Sequence, residues 1–194
     1  MKRKKVKRLI LLFCIICIGK SGLSQQEKGL HYIGGMYYGV GLHSFSTPLT
    51  SQDVIANNIG GRLAFSIGNH VRIGIMGGNT FKHYDERSSF YKIGHGGMTA
   101  EYFLIINRLT AGAGIYIGGA KYRNLYVTGQ NGTDISGDYR NISFMFLTPF
   151  VTLSYRLTSK LSLSVMAESF NDALFSQTIG SKGINVKAGV LFSR

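Results

Sequence analysis

Two arms of alternating residues meet at Asn107-Arg108, and this pair of arms constrains the chain more than any other feature. In the first arm Met98, Ala100, Tyr102, Leu104 and Ile106 share one parity while Gly97, Thr99 and Glu101 share the other, the period of two that gives a strand unlike faces. The second arm repeats the pattern, with Leu109, Ala111, Ala113, Ile115 and Ile117 in an apolar row and Thr110, Gly112, Gly114, Tyr116 and Gly118 in a small or polar one. Each arm is about ten residues long, the length that a tilted strand needs to cross a hydrocarbon core. A tight hairpin of that length predicts a pair of membrane-spanning strands.

The alternation recurs along the chain. Residues 30–43 place Tyr32, Met36, Tyr38, Val40 and Leu42 on one parity, with glycines mostly on the other. Residues 58–68 set Ile59, Gly61, Leu63, Phe65 and Ile67 against Gly60, Arg62, Ala64 and Ser66, and after a turn at 68–70 Val71, Ile73 and Ile75 alternate with Arg72, Gly74 and Met76. A sixth strand is expected over 142–157 and a seventh from Leu161 after a turn at 158–160; the chain closes with Ile184, Val186, Ala188, Val190 and Phe192 on one face. Between these runs lie 44–57, 79–93, 121–141 and 169–183, which are polar and turn-rich and read as long loops. Strand, long loop, strand, short turn is the repeating order, and it predicts an all-β, eight-stranded antiparallel up-and-down barrel. All short turns and both termini then fall on one side. Proline cannot donate to a ladder and a closed barrel has no edge to hide it, so a bulge is expected at Thr148-Pro149. Such a bulge would turn Phe144 and Phe146 to the same side as Val151, Leu153 and Tyr155.

This strand count and turn asymmetry, over residues 30–194, resemble the small outer-membrane β-barrels of the OmpA, OmpX and Ail type. The resemblance implies a transmembrane barrel in the outer membrane, short turns in the periplasm and long loops outside. It also implies outer-membrane lipid and lipopolysaccharide as surroundings and the barrel-assembly machinery as a partner. The chain ends Phe192-Ser193-Arg194, whereas that family usually ends on the aromatic residue. A soluble secreted barrel of the lipocalin type is the alternative, with the apolar rows turned inward. Its water-facing parity would carry many Lys and Glu, but here that parity is Gly, Ser, Thr and Ala, which suit a narrow lumen. Tyr32, Tyr155 and Phe192, near strand ends on the apolar parity, suit an interfacial girdle.

The net charge of +13 suggests a nucleic-acid partner until it is located. Seven of the 22 basic residues (Lys2, Arg3, Lys4, Lys5, Lys7, Arg8 and Lys20) precede Ser24, which leaves 15 against 9 acids, scattered along the chain. No nucleic-acid partner is expected. That basic start, the run LILLFCIICI and the small residues Gly22 and Ser24 form a secretory signal, so residues 1–24 are expected to be a cleaved signal peptide and 25–194 the barrel domain. Cys14 and Cys17 lie inside this leader, and the mature chain would have no thiol for a disulfide, a metal or catalysis.

We expect no catalytic residue, cofactor or metal. Some outer-membrane barrels are lipid A deacylases or acyltransferases that use Ser and His with an acid, which makes a lipid-modifying enzyme an alternative function. Of His31, His43, His70, His83 and His95 only His43-Ser44 is locally suggestive, and the deacylase spacing is absent. Asp134 and Asp138 in NGTDISGD read as turn chemistry rather than a Ca²⁺ site. The loops are rich in Tyr, Asn, Ser and Gly with scattered Lys and Arg, a composition that suits an extracellular glycan or protein partner. Envelope structure or surface adhesion is thus the function expected. Arg62, Arg72, Glu101, Arg156, Glu168 and Lys187 stand on the lumen parity and are expected to converge as a structural charge network, since a charge at membrane depth needs an interior partner. Strand heights make Glu101 the expected hub for Arg62, with Lys187 the second candidate and Arg72 and Arg156 nearer the short turns.

Overall fold

The structure is a computed structural model and describes residues 31–46, 51–83, 89–131, 134–171 and 182–194. The export signal expected over 1–24 lies outside the described residues. The strands are β1 (Tyr32–Ser46), β2 (Ser51–Ile67), β3 (Val71–His83), β4 (Phe90–Ile106), β5 (Leu109–Asn131), β6 (Asp134–Arg156), β7 (Leu161–Asn171) and β8 (Lys182–Ser193). Each pairs antiparallel with the next, and β8 pairs with β1 to close the barrel. The chain is therefore an all-β, eight-stranded antiparallel barrel.

The two parities point where their chemistry sends them. Met36, Leu42, Ile55, Ile75, Met98, Ile115, Val151 and Phe192 are exposed on the outer wall, with Tyr32 and Tyr155 outward near the short-turn end. Tyr37, Tyr91, Tyr116, Tyr122, Phe146, Phe150 and Met166 are buried inside. An apolar wall of this extent around a packed interior is the inverse of a water-soluble barrel, whose apolar rows would face in.

Short turns are held by local chemistry. Gly68 (φ 64°) and Asn107 (φ 56°) adopt the left-handed conformation, which glycine enters freely and asparagine tolerates better than most residues. At the third turn the Thr158 hydroxyl accepts from the amides of Lys160 (3.2 Å) and Leu161 (3.1 Å). These turns close the β2–β3, β4–β5 and β6–β7 hairpins.

Two expectations are overturned. Three of the segments read as long loops, 44–57, 79–93 and 121–141, are largely strand among the described residues: β1 and β2 pair as far as Ser46↔Ser51, β3 and β4 as far as His83↔Phe90, and β5 and β6 as far as Asn131↔Asp134, while most of the fourth, 169–183, lies outside the described residues. In these stretches the outward face carries polar residues such as Asp53, Lys92, Lys121 and Arg123 while Val54, Tyr91 and Tyr122 stay buried inside, so the apolar outward row that marks a membrane strand in sequence fades while the pairing continues. The second correction is the bulge. Ile115↔Pro149 and Tyr116↔Thr148 stand in unbroken register, the only shift in that pair of strands lies between Val127 and Gly129, and Phe144 and Phe146 are inside. The proline is tolerated because the β6–β7 ladder ends at Phe150↔Glu168, one residue short of it.

The register also aligns glycines that lie far apart in sequence. Gly61↔Gly77, Gly77↔Gly96 and Gly96↔Gly119 are direct partners, so four neighbouring strands place a glycine in one outward row. Met36 faces Gly61 at one end of this row and Met145 faces Gly119 at the other.

Candidate functional site

Among the described residues the lumen holds two charged clusters. In the first, Arg72 and Glu101 are cross-strand partners on β3 and β4, and Glu101 is 2 % exposed. Arg62 Nη2 reaches Glu101 Oε2 from β2 at 2.8 Å, and Arg72 Nη1 donates to the same oxygen at 3.4 Å. From β6 the Thr152 hydroxyl donates to Oε1 at 2.5 Å. The carboxylate thus ties four strands together. Each guanidinium also lies over a ring, Arg72 3.7 Å from the centroid of Phe103 and Arg62 5.3 Å from that of Phe150, which screens both cations from water. Gly112 leaves room for this contact: a Cβ there would collide with Glu101 Oε1 and Thr152 Oγ1.

The second cluster lies toward the loop side. Lys187 Nζ and Asn185 Nδ2 both donate to Glu168 Oε1, at 2.7 and 2.8 Å. Asn185 Oδ1 lies 2.9 Å from His43 Nε2, and since this oxygen only accepts, Nε2 carries the proton. Gly41 and Gly183 flank the imidazole, where a Cβ on either would strike the ring. Strands β1, β7 and β8 are joined by this chain. Between the two clusters Tyr116 donates to the Met76 carbonyl (3.0 Å), so His95 Nδ1 donates to the Tyr116 oxygen (2.9 Å), and Phe146 meets the Tyr116 ring edge-on at 4.7 Å.

Of the six charges placed on the lumen parity, five thus lie in two groups rather than one. Arg62, Arg72 and Glu101 form the first; Glu168 and Lys187 form the second, so Lys187 is paired away from Glu101. Arg156 belongs to neither and is exposed at the short-turn rim. Asn58, Thr80, Asn185 and Thr152 are buried polar residues that sequence reasoning missed, because a lone Asn or Thr on a small-residue parity gives no signal until register places a partner across from it. His43 and Ser44 are not a catalytic pair: His43 is inside, whereas Ser44 is exposed and donates to Asp53 at 2.6 Å. Neighbours on a strand point to opposite faces, so adjacency in sequence keeps them apart. Among the described residues no group of three or more His, Cys, Asp or Glu is arranged to hold a metal ion.

Outside, β4 and β5 carry cations above the apolar band. Lys92 is the cross-strand partner of Arg123, and Lys121 lies two residues nearer the band on β5. The comparisons with known proteins agree with this fold. Neisserial surface protein A superposes with a TM-score of 0.59 at 16% identity, over 85% of this chain and 99% of that one. The barrel has the fold of the small outer-membrane β-barrels. Ail of Yersinia pestis, solved with the heparin analogue sucrose octasulfate, gives a TM-score of 0.55 at 11% identity over 84% of this chain and 99% of Ail. The N-terminal barrel of Pseudomonas aeruginosa OprF gives 0.53 at 11% identity over 87% and 100%. No protein-family model and no curated protein sequence matches the chain.

Proposed function

We propose that the chain is an integral outer-membrane protein with a closed lumen and no catalytic role, which anchors its strand extensions outside the cell as a surface for envelope or host contacts. The observation that carries this reading is the inversion of faces, an apolar wall around an interior plugged by Tyr37, Tyr91, Tyr116, Phe146 and Phe150. An eight-stranded lumen filled in this way leaves no aqueous path for transport. The paired extension of β5 and β6 to Asn131↔Asp134 is the structure best placed to meet a partner, and Val127 braces its base by donating its amide to Ser89 Oγ at 3.0 Å. An extracellular glycan or protein is the partner class that its Tyr, Asn and Gly content suits. Lipopolysaccharide forms its surroundings, and the assembly machinery inserts it after export by the leader at 1–24.

The test is fractionation followed by gel electrophoresis with and without heating. The expected result is a protein in the outer-membrane fraction that resists carbonate extraction and migrates faster unheated than boiled. A soluble periplasmic protein with one mobility would overturn the reading. Trimming residues 128–137 should keep the fast-migrating form and abolish retention on host-cell surfaces.

A further inference from the structure

Above the apolar band the outward face of β4–β6 combines three unpaired cations with an open groove. Lys92 and Arg123 stand directly across from one another, about 5 Å apart at their Cα atoms, and like charges so placed destabilise a sheet. Among the described residues none of Lys92, Lys121 and Arg123 has an acidic partner. Directly below Lys121, toward mid-membrane, lies a groove lined by Gly94, Gly96, Gly119, Ser143 and Met145. Added Cβ atoms at Gly96 or Gly119 would meet nothing within 4 Å, so the groove is open to the surroundings of the barrel. Lys121 is about 12 residues beyond the Asn107-Arg108 turn, which at about 3.4 Å per residue and about 40° of tilt puts it about 30 Å up the wall. The hydrocarbon band is about 25 Å tall, so these cations sit at headgroup height while the groove reaches into the acyl layer.

We infer that this face is a binding site for a phosphorylated membrane lipid, its phosphate on Lys92, Lys121 and Arg123 and one acyl chain along the Gly96–Gly119 groove. The inference rests on the membrane reading above and adds the ligand class and its place. Charge complementarity selects the occupant: a neutral lipid would leave the Lys92–Arg123 repulsion standing, whereas a phosphate between them removes it. A second copy of this chain would need an outward acid to meet these cations, and among the described residues the outward acid Asp53 already accepts from Ser44 at 2.6 Å.

The test uses the full barrel reconstituted in phosphatidylcholine vesicles doped with lipid A or with the same lipid stripped of its phosphates. Lipid retained per barrel is read by native mass spectrometry after detergent extraction. Two variants are compared with the parent: Lys92→Gln/Lys121→Gln/Arg123→Gln, and Gly96→Leu/Gly119→Leu, which fills open space. The parent should retain lipid A over its dephosphorylated form. The cation variant should lose about fivefold in retention per charge removed, on the order of a hundredfold in all, and the groove variant should lose retention of lipid A as well. Equal retention of the two lipids by the parent, or retention by the cation variant within about twofold of the parent, would overturn the site. Because unheated gel mobility is measured on every sample, a missing fast-migrating form would overturn the membrane reading and the site together. Its presence with unselective retention would overturn the site alone.

Discussion

Among the described residues two carboxylates are buried in the lumen, and they are satisfied to different degrees. Glu101 uses both oxygens, one for two guanidiniums and one for the Thr152 hydroxyl. Glu168 uses Oε1 for Lys187 and Asn185, and its buried Oε2 has no hydrogen-bond partner. The first cluster draws on four strands near the turn side, where the ladders are continuous. The second sits beside the place where β6 and β7 part, at Phe150↔Glu168, and draws on β1, β7 and β8. The contrast teaches that charge in this barrel is stabilised by the number of strands that reach it: Glu101 is a hub, and Glu168 is a link in a chain.

Substitutions can break or sharpen that contrast. Glu101→Gln leaves Arg62 and Arg72 buried without a counter-charge and should cost about 3–5 kcal/mol, the usual penalty for breaking a buried pair from one side. The urea midpoint of the folded barrel in detergent would check it. Adding Arg62→Met to that variant should not restore stability, because Arg72 stays unpaired. Glu168→Gln should cost less, about 2–3 kcal/mol, since one ammonium is stranded rather than two guanidiniums. Here Lys187→Met in the same chain should recover most of the loss, and a double-mutant cycle that found equal recovery in both clusters would erase the distinction. Thr152→Val removes a single hydrogen bond to a charged oxygen, expected at about 1.5–3 kcal/mol by the same denaturation. Arg156→Gln, at the exposed rim, should change stability by less than about 0.5 kcal/mol.

The barrel was legible because lipid and lumen impose opposite chemistry on alternate residues: Leu63, Ile75, Met98 and Ile117 could be placed outward from parity alone, and three short turns announced themselves at Gly68, Asn107 and Thr158. The strand extensions were not legible, because outside the apolar band that contrast fades and Gly, Asn and Tyr serve turns and ladders equally. Phe144 and Phe146 face inward, against the expectation of a bulge, because Pro149 lies just past the end of the β6–β7 ladder and the strand needs no fault to hold it. The site was legible in kind and in one pairing, Arg62 with Glu101, but not in its other partners. Parity identifies Glu101 and Arg72 as lumen residues, yet only the shear of the barrel makes them cross-strand neighbours and sends Lys187 to Glu168 instead. The outward glycine row was invisible for the same reason, since its members are related by register and not by spacing.

The central claim is that from Phe144 to Tyr155 the odd-numbered residues of β6 face lipid and the even-numbered ones face a packed, dry interior. A chain that starts at Gln25 contains no cysteine, so single cysteines at each position from Val151 to Tyr155 can carry a nitroxide in reconstituted bilayers. Power saturation with oxygen and with a water-soluble nickel chelate then reports both surroundings. Labels at Val151, Leu153 and Tyr155 should collide with oxygen and not with the chelate, while labels at Thr152 and Ser154 should be shielded from both. Chelate access at Thr152 and Ser154, or at Val151 and Leu153, would contradict the account.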